Sequence, residues 1–249
     1  MKIFLFGHPH IRLEIAGSTN TYARQLIEAG RPLNGTVITS AFQYNGRGQG
    51  IHQWESETGL NLLCSYILYP EIQVNQLFLI NKMIACAVHQ SLRNLTGCTE
   101  LKIKWPNDIM VNSGKISGML IETGIKGEVV SHCIAGIGIN VNQEIFKVYH
   151  PEAISIRMLT DKHTDLDMVL GELNKSLSGW YEKLKRNHEE VNNYYLDHLY
   201  HRNQQMEYVI NGKKVSATIC GVDDEGRLLL KTGGDEILKL RHGELHYLF

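Results

Sequence analysis

The apolar positions of this chain fall into two periods, one helical and one of strands. Leu166, Val169, Leu170, Leu173, Leu177, Trp180, Tyr181 and Leu184 recur about every 3.6 residues and predict a long amphipathic helix over residues 166–185. A second helix is predicted over residues 76–95, with Ile80, Ile84, Ala87, Val88 and Leu95 along one stripe. A third starts after Ser18-Thr19-Asn20, carries Tyr22, Leu26 and Ile27, and stops at Gly30. Ser18 or a neighbour is expected to cap it, a side-chain oxygen accepting an otherwise unpaired backbone N–H. Apolar, partly β-branched runs predict strands at residues 36–40, 60–68 and within 129–141, the second ended by Pro70. Ile109-Met110-Val111 and Met119-Leu120-Ile121 read as two more strands, joined by Asn112-Ser113-Gly114. Asn and Gly tolerate the positive φ of a tight turn.

The pattern changes after about residue 200. Short apolar runs at 206–210, 214–220, 228–230 and 237–240 are separated by Asn211-Gly212, Asp224-Glu225-Gly226 and Gly233-Gly234. Close-spaced short strands with Gly-rich turns predict a small β-barrel. The expected division is therefore a larger unit over residues 1–200, which the chemistry it carries makes the catalytic candidate, and a barrel over 201–249.

Composition narrows the function classes. With 43% hydrophobic and 20% charged residues among 249, a sizeable core is available. A formal net charge of −1 gives no electrostatic footprint for nucleic acid or an anionic membrane. The five cysteines are scattered without a Cys-x-x-Cys pair, which argues for reduced, structural thiols rather than disulfides or a zinc site. The opening run Met1-Lys2-Ile3-Phe4-Leu5-Phe6 is too short for a signal-peptide core, and no stretch reaches the about 20 apolar residues of a membrane helix. A cytoplasmic protein is expected.

Two segments carry the chemistry. Lys104-Trp105-Pro106-Asn107-Asp108 leads into the first strand of the predicted hairpin, and Lys115 opens the second. An ammonium among so many apolar neighbours either meets an anion or guards the edge of a surface hairpin. Upstream, Gly46-Arg47-Gly48-Gln49-Gly50 lies between Gln43 and Trp54. Its glycines let backbone N–H groups approach an anion closely, and Arg47 adds a fixed fork of donors. The loop is neither a P-loop nor a dinucleotide fingerprint, and by itself it is also an ordinary turn. Asp108 either serves a site or caps a turn, while Trp105 and Pro106 read as packing and turn shape. His8 and His10 receive no metal assignment, and Glu122 and Asn142 read as supporting residues outside the site.

Along the chain come Ser18-Thr19-Asn20, then Gly46-Arg47-Gly48 with its following Trp54, then Lys104-Trp105-Pro106-Asn107-Asp108. Lys115-Ile116-Ser117-Gly118-Met119-Leu120-Ile121-Glu122 and Gly138-Ile139-Asn140-Val141-Asn142 complete the series. This order resembles the biotin protein ligases, also called biotin–[acetyl-CoA-carboxylase] ligases. The resemblance runs over nearly the whole chain, into Gly221-Val222-Asp223 and His242-Gly243-Glu244-Leu245. It implies an α+β fold: a mixed β-sheet flanked by helices, a class II synthetase-like catalytic core, then a C-terminal SH3-like small β-barrel.

The resemblance also implies a two-step reaction. Biotin carboxylate attacks the α-phosphate of ATP to give biotinyl-5′-AMP and pyrophosphate; a lysine of a biotin carboxyl carrier protein domain then takes the biotinyl group and AMP leaves. By the same resemblance Lys115 and Arg47 are the catalytic pair at the anionic centre. Ser18, Thr19, Asn20, Gln43, Gly46 and Gly118 join them around biotin. Gly48, Gln49, Trp54, Lys104, Asn107, Asp108 and Asn140 are assigned to ATP. Mg2+ is expected through the ATP phosphates, with no dedicated metal cage. A homodimer through sheet edges is a family option that the sequence does not decide. The rival readings are a lipoate or octanoate ligase of the same fold, and a biotin-binding protein without catalysis; pyrophosphate release separates the second from any ligase.

Two departures from the family pattern matter. Gln49 and His52 stand where the family loop carries arginines, so weaker retention of biotinyl-AMP is expected. Gln49→Arg should lengthen the half-life of the bound intermediate, and equal half-lives in the two proteins would rule the idea out. Seventeen residues precede Ser18, too few for the DNA-binding domain of the family's repressor forms, so a monofunctional ligase without a DNA partner is expected.

Overall fold

The computed structural model describes residues 6–50, 53–147, 151–234 and 236–248. Residues 1–5 of the apolar opening run, and Ile51 and His52 of the Gly-rich loop, lie outside the described residues. Seven strands form the main sheet: β1 His10–Ala16, β2 Thr36–Gln43, β3 Leu62–Leu68, β4 Leu101–Lys104, β5 Asp108–Val111, β6 Gly114–Lys126 and β7 Val129–Ile139. Their order is β1-β2-β3-β7-β6-β5-β4, with β1 parallel to β2 and the other pairs antiparallel. Among the described residues five α-helices accompany them: α1 Thr19–Ala29, α2 Leu77–Thr96, α3 Ile156–Thr160, α4 Leu166–Arg186 and α5 His188–Asp197. The fold is thus α+β with a mixed sheet.

The central strand shows why the sheet needs cover on both sides. All seven residues of β3 are buried. Cys64, Tyr66 and Leu68 point into the large cluster with Ile80, Ile84 and Val88 of α2 and Leu173 and Leu177 of α4. Ile67, one step out of phase, joins Ile38, Ile134 and Ala23 of α1 on the opposite face. Period-two alternation therefore loads each face with its own apolar set. Ala23 has no exposed surface, which brings α1 close to the sheet and sets Thr19 and Asn20 beside β3.

The C-terminal strands are β8 Gln205–Ile210, β9 Lys213–Val222, β10 Leu228–Lys231, β11 Ile237–Leu240 and β12 Leu245–Tyr247. They form an antiparallel sheet in the order β11-β10-β9-β8-β12, consistent with an SH3-like unit. Asn211 (φ 50°) and Gly212 (φ 75°) make the β8–β9 turn as their residue types predict. Tyr208, Ile219, Leu228 and Leu230 belong to the same apolar cluster as α2 and α4. Polar ties join this sheet to the rest: Trp105 Nε1 donates to the Gly226 carbonyl at 2.9 Å, and the buried Lys82 ammonium, which also donates to Asn192 Oδ1 of α5 at 2.9 Å, donates to the Val222 carbonyl at 3.4 Å. Trp105 is thus a packing residue, as its sequence context suggests.

Five of the labelled elements escape the sequence pattern: β1, β4, β12, α3 and α5. β1 is an edge strand with Ile15 65% exposed, so its alternation is blurred. α5 buries Val191 and Tyr195 alone, too few for a helical stripe to stand out. No helix among the described residues is long and apolar enough to cross a membrane. All five cysteines are free.

Candidate active site

The N-terminus of α1 sets one end of a cleft of about 870 Å³. Ser18 occupies the cap position with extended backbone, but its hydroxyl makes no capping bond. Gln43, the last residue of β2, takes that part instead: its Oε1 accepts from the Thr19 backbone N–H at 2.6 Å and the Thr19 hydroxyl at 3.1 Å. The expected cap is thus corrected, because a neighbouring strand supplies the acceptor. Ser65 Oγ lies 2.7 Å from Thr19 Oγ1 and 2.6 Å from Asn20 Oδ1, with one proton to share between them. Ser18, Thr19, Asn20 and Gln43 together make a polar end wall.

The floor is made by β6 and β7. Gly118 and Gly138 face one another across the ladder, and Leu120 faces Gly136. A Cβ on Gly136 would collide with Asn20 Oδ1, and one on Gly138 would come within 2.5 Å of the Trp54 ring. The missing side chains admit an indole and an amide directly onto the backbone. The two ends of the Gly-rich segment pair as a narrow hairpin over this floor, with the Trp54 N–H donating to the Gly46 carbonyl at 3.0 Å and an Arg47–Gln53 bridge. Gly46 does not line the cleft. A Cβ there would come 2.5 Å from the Trp54 carbonyl oxygen, so glycine at this position permits the closure of the hairpin. Trp54 Nε1 and Gln49 Oε1 are buried and have no hydrogen-bond partner among the described residues.

The cationic centre lies where β4, β5 and β6 meet. Lys115 Nζ is 2.7 Å from Asp108 Oδ1, and Lys104 Nζ is 3.3 Å from Asp108 Oδ2. Lys115 also sits 5.6 Å above the Trp54 ring, and Lys104 4.8 Å above the Tyr247 ring. Burial alone would raise the Asp108 pKa; the ammonium groups of Lys115 and then Lys104 outweigh it, and the carboxyl titrates below the ordinary 3.8. The trio sets two ammonium groups on one carboxylate, an arrangement suited to an anionic ligand.

The two asparagines assigned to ATP have scaffold duties. The Asn107 amide donates to the Met119 carbonyl while the Met119 N–H donates back to the Asn107 carbonyl, which locks the 104–108 hairpin onto β6. Asn140, 3% exposed, donates to the carbonyls of Lys115 and Ile154 and so fixes the root of the lysine. Both still line the cleft, as do Arg47, Gly48, Gln49, Trp54, Lys104, Asp108, Lys115 and Gly118. Cys64 lines it too, but burial pushes its thiol well above the ordinary range and makes it a poor nucleophile.

Some contributors were not expected from the sequence. His242, Leu245, His246 and Tyr247 bring the C-terminal sheet to the cleft wall, and Phe146 and Pro151 come from the segment after β7. Glu122 gathers Arg47, Arg24 and Asn20 at 3.0, 2.6 and 2.9 Å. No group of three or more His, Cys, Asp or Glu suited to a resident metal occurs among the described residues. Asp108 and Glu55 are the carboxylates on the lining, so a divalent ion fits here as a companion of a polyphosphate.

The Biotin/lipoate A/B protein ligase family matches residues 13–140, just over half of the chain. The bifunctional ligase/repressor BirA of Bacillus subtilis is 34% identical over 144 residues, 58% of this chain and 44% of that protein. The aligned stretch thus spans less than half the length of that relative. The biotin–[acetyl-CoA-carboxylase] ligase of Mycobacterium tuberculosis is 25% identical over 89% of this chain and 83% of its own. Among solved structures, a mutant of biotin protein ligase from Aquifex aeolicus in complex with biotin superposes with a TM-score of 0.76 at 26% identity, covering 95% of this chain and 97% of that one.

Proposed function

Since this chain belongs to the biotin/lipoate A/B protein ligase family, we propose that it is a biotin–[acetyl-CoA-carboxylase] ligase. It joins biotin to ATP as biotinyl-5′-AMP, releasing pyrophosphate, and then passes the biotinyl group to one lysine of a carrier domain. The observation that carries the reading is the Lys104–Asp108–Lys115 trio at the floor of a cleft whose far end is a wall of hydroxyls and amides. Acid adenylation brings a carboxylate to a phosphate, two anions that repel, and a fixed cation between them lowers that barrier. Lys115 is that cation, and Arg47 approaches from the loop. The Thr19 and Gln43 end suits a ureido ring, which offers one acceptor and two N–H donors.

In the first step the biotin carboxylate oxygen forms a bond to the α-phosphorus and the bond to pyrophosphate breaks. The charge on that leaving group is neutralised by Mg2+ when the ion is bound to the triphosphate. In the second step the carrier amine attacks the anhydride carbonyl, loses a proton and expels AMP. No protein nucleophile is needed, in keeping with the inert Cys64. Relatives named as biotin ligases, one of them in complex with biotin, support biotin over lipoate or octanoate. Near-neutral net charge supports the absence of a DNA partner.

The experiment is transfer to a purified biotin carboxyl carrier domain, read by intact mass. One biotinyl group should appear with biotin, ATP and Mg2+, and none on a carrier whose target lysine is arginine. Labelling with octanoate or lipoate alone, or none with folded protein, would overturn the reading.

A further inference from the structure

Glu122 lies outside the cleft lining, yet three side chains from two elements, α1 and the Gly-rich hairpin, end on it. Its Oε1 accepts from Arg24 of α1 at 2.6 Å and from Arg47 of the Gly-rich hairpin at 3.0 Å. Its Oε2 accepts from the Asn20 amide at 2.9 Å. Asn20 also donates to the Leu120 carbonyl at 3.2 Å, and its Oδ1 faces Ser65 and so the Thr19–Gln43 end wall. Two guanidinium groups on one carboxylate leave a surplus positive charge at the root of the hairpin. They also compete for the same oxygen.

We propose that Glu122 is a positioning residue for Arg47: it fixes the guanidinium at the hairpin root, aimed to receive the anionic intermediate, while Arg24 draws on the same carboxylate and weakens that hold. The proposal rests on the ligase reading above. A guanidinium has five N–H donors, so one bond to Glu122 leaves others for a phosphate or carboxylate. Fixing it beforehand spares the ordering cost when ligand arrives. A plain surface brace would be weakened alike by the loss of either Glu122 or Arg24. A positioning role separates them, because only the loss of Glu122 releases Arg47.

The test uses the full chain and the half-life of enzyme-held biotinyl-AMP after a chase with excess unlabelled biotin. Glu122→Gln keeps the shape and an acceptor for Asn20 but loses the charge, and it should shorten the half-life roughly fivefold, the scale of a solvent-screened pair. Arg24→Met gives Arg47 sole use of the carboxylate and should leave the half-life equal or longer. Thermal unfolding of both variants should stay close to wild type. A half-life unchanged in Glu122→Gln would overturn the proposal, and so would an equal shortening in both variants, which marks a structural brace. Wild type that forms no biotinyl-AMP fails the ligase reading itself, a separate result.

Discussion

Lys115→Ala is expected to reduce biotin-dependent ATP–pyrophosphate exchange by about 10²–10³-fold, the usual scale for removing one fixed group that meets developing negative charge. The geometry argues for a loss in the chemical step rather than in folding. The Lys115 N–H donates to the Glu152 carbonyl at 2.7 Å, its carbonyl accepts from the Ile154 N–H at 3.0 Å, and Asn140 holds the same carbonyl. An alanine keeps all of these. Asp108 retains Lys104 at 3.3 Å, so the buried carboxylate is not left without a cation and the fold should persist, which a thermal melt checks. Exchange within a few-fold of wild type would remove Lys115 from the mechanism.

Gly138→Val should raise KM for biotin by roughly tenfold or more, about 1.4 kcal/mol of binding, with a smaller effect on kcat. The first added carbon would stand 2.5 Å from the Trp54 ring, closer than any real contact, so the indole must leave the floor. The two methyl groups then fill space above Gly118, its cross-strand partner. Valine suits a strand, so the fold should survive with a similar unfolding temperature. Steady-state kinetics and a thermal melt check both halves. An unchanged KM would mean that ligand does not use the Gly118–Gly138 floor.

Much of this site could be read from the chain because its parts are short runs whose chemistry is local. Lys104 to Asp108, Lys115 to Gly118 and Gly46 to Trp54 each announce a turn, a cation or a close approach within a few residues. Their meeting in one cleft depends on register, which no local signal reports: Gly118 opposite Gly138 follows from the whole β6–β7 ladder. Tyr247 beneath Lys104 depends on how the C-terminal sheet packs, tied by Trp105 to Gly226. Glu122 reads from the sequence as a supporting residue outside the site, but the side chains it holds, Arg24, Arg47 and Asn20, lie far off in the chain. A signal for it existed, since Gly118, Leu120 and Glu122 alternate onto one face of β6, the face that carries the glycine floor. At Gly46 the sequence could not report the approach of the Trp54 carbonyl, which a Cβ would meet at 2.5 Å.

The most direct test of the account is ATP–pyrophosphate exchange by the wild-type chain with Mg2+, run in parallel with biotin, lipoate and octanoate. The account predicts exchange with biotin alone, because the Thr19–Gln43 wall offers donors and acceptors that a ureido ring uses and an alkyl or dithiolane end cannot. Exchange with lipoate or octanoate in place of biotin, or with none of the three in folded protein, would contradict it.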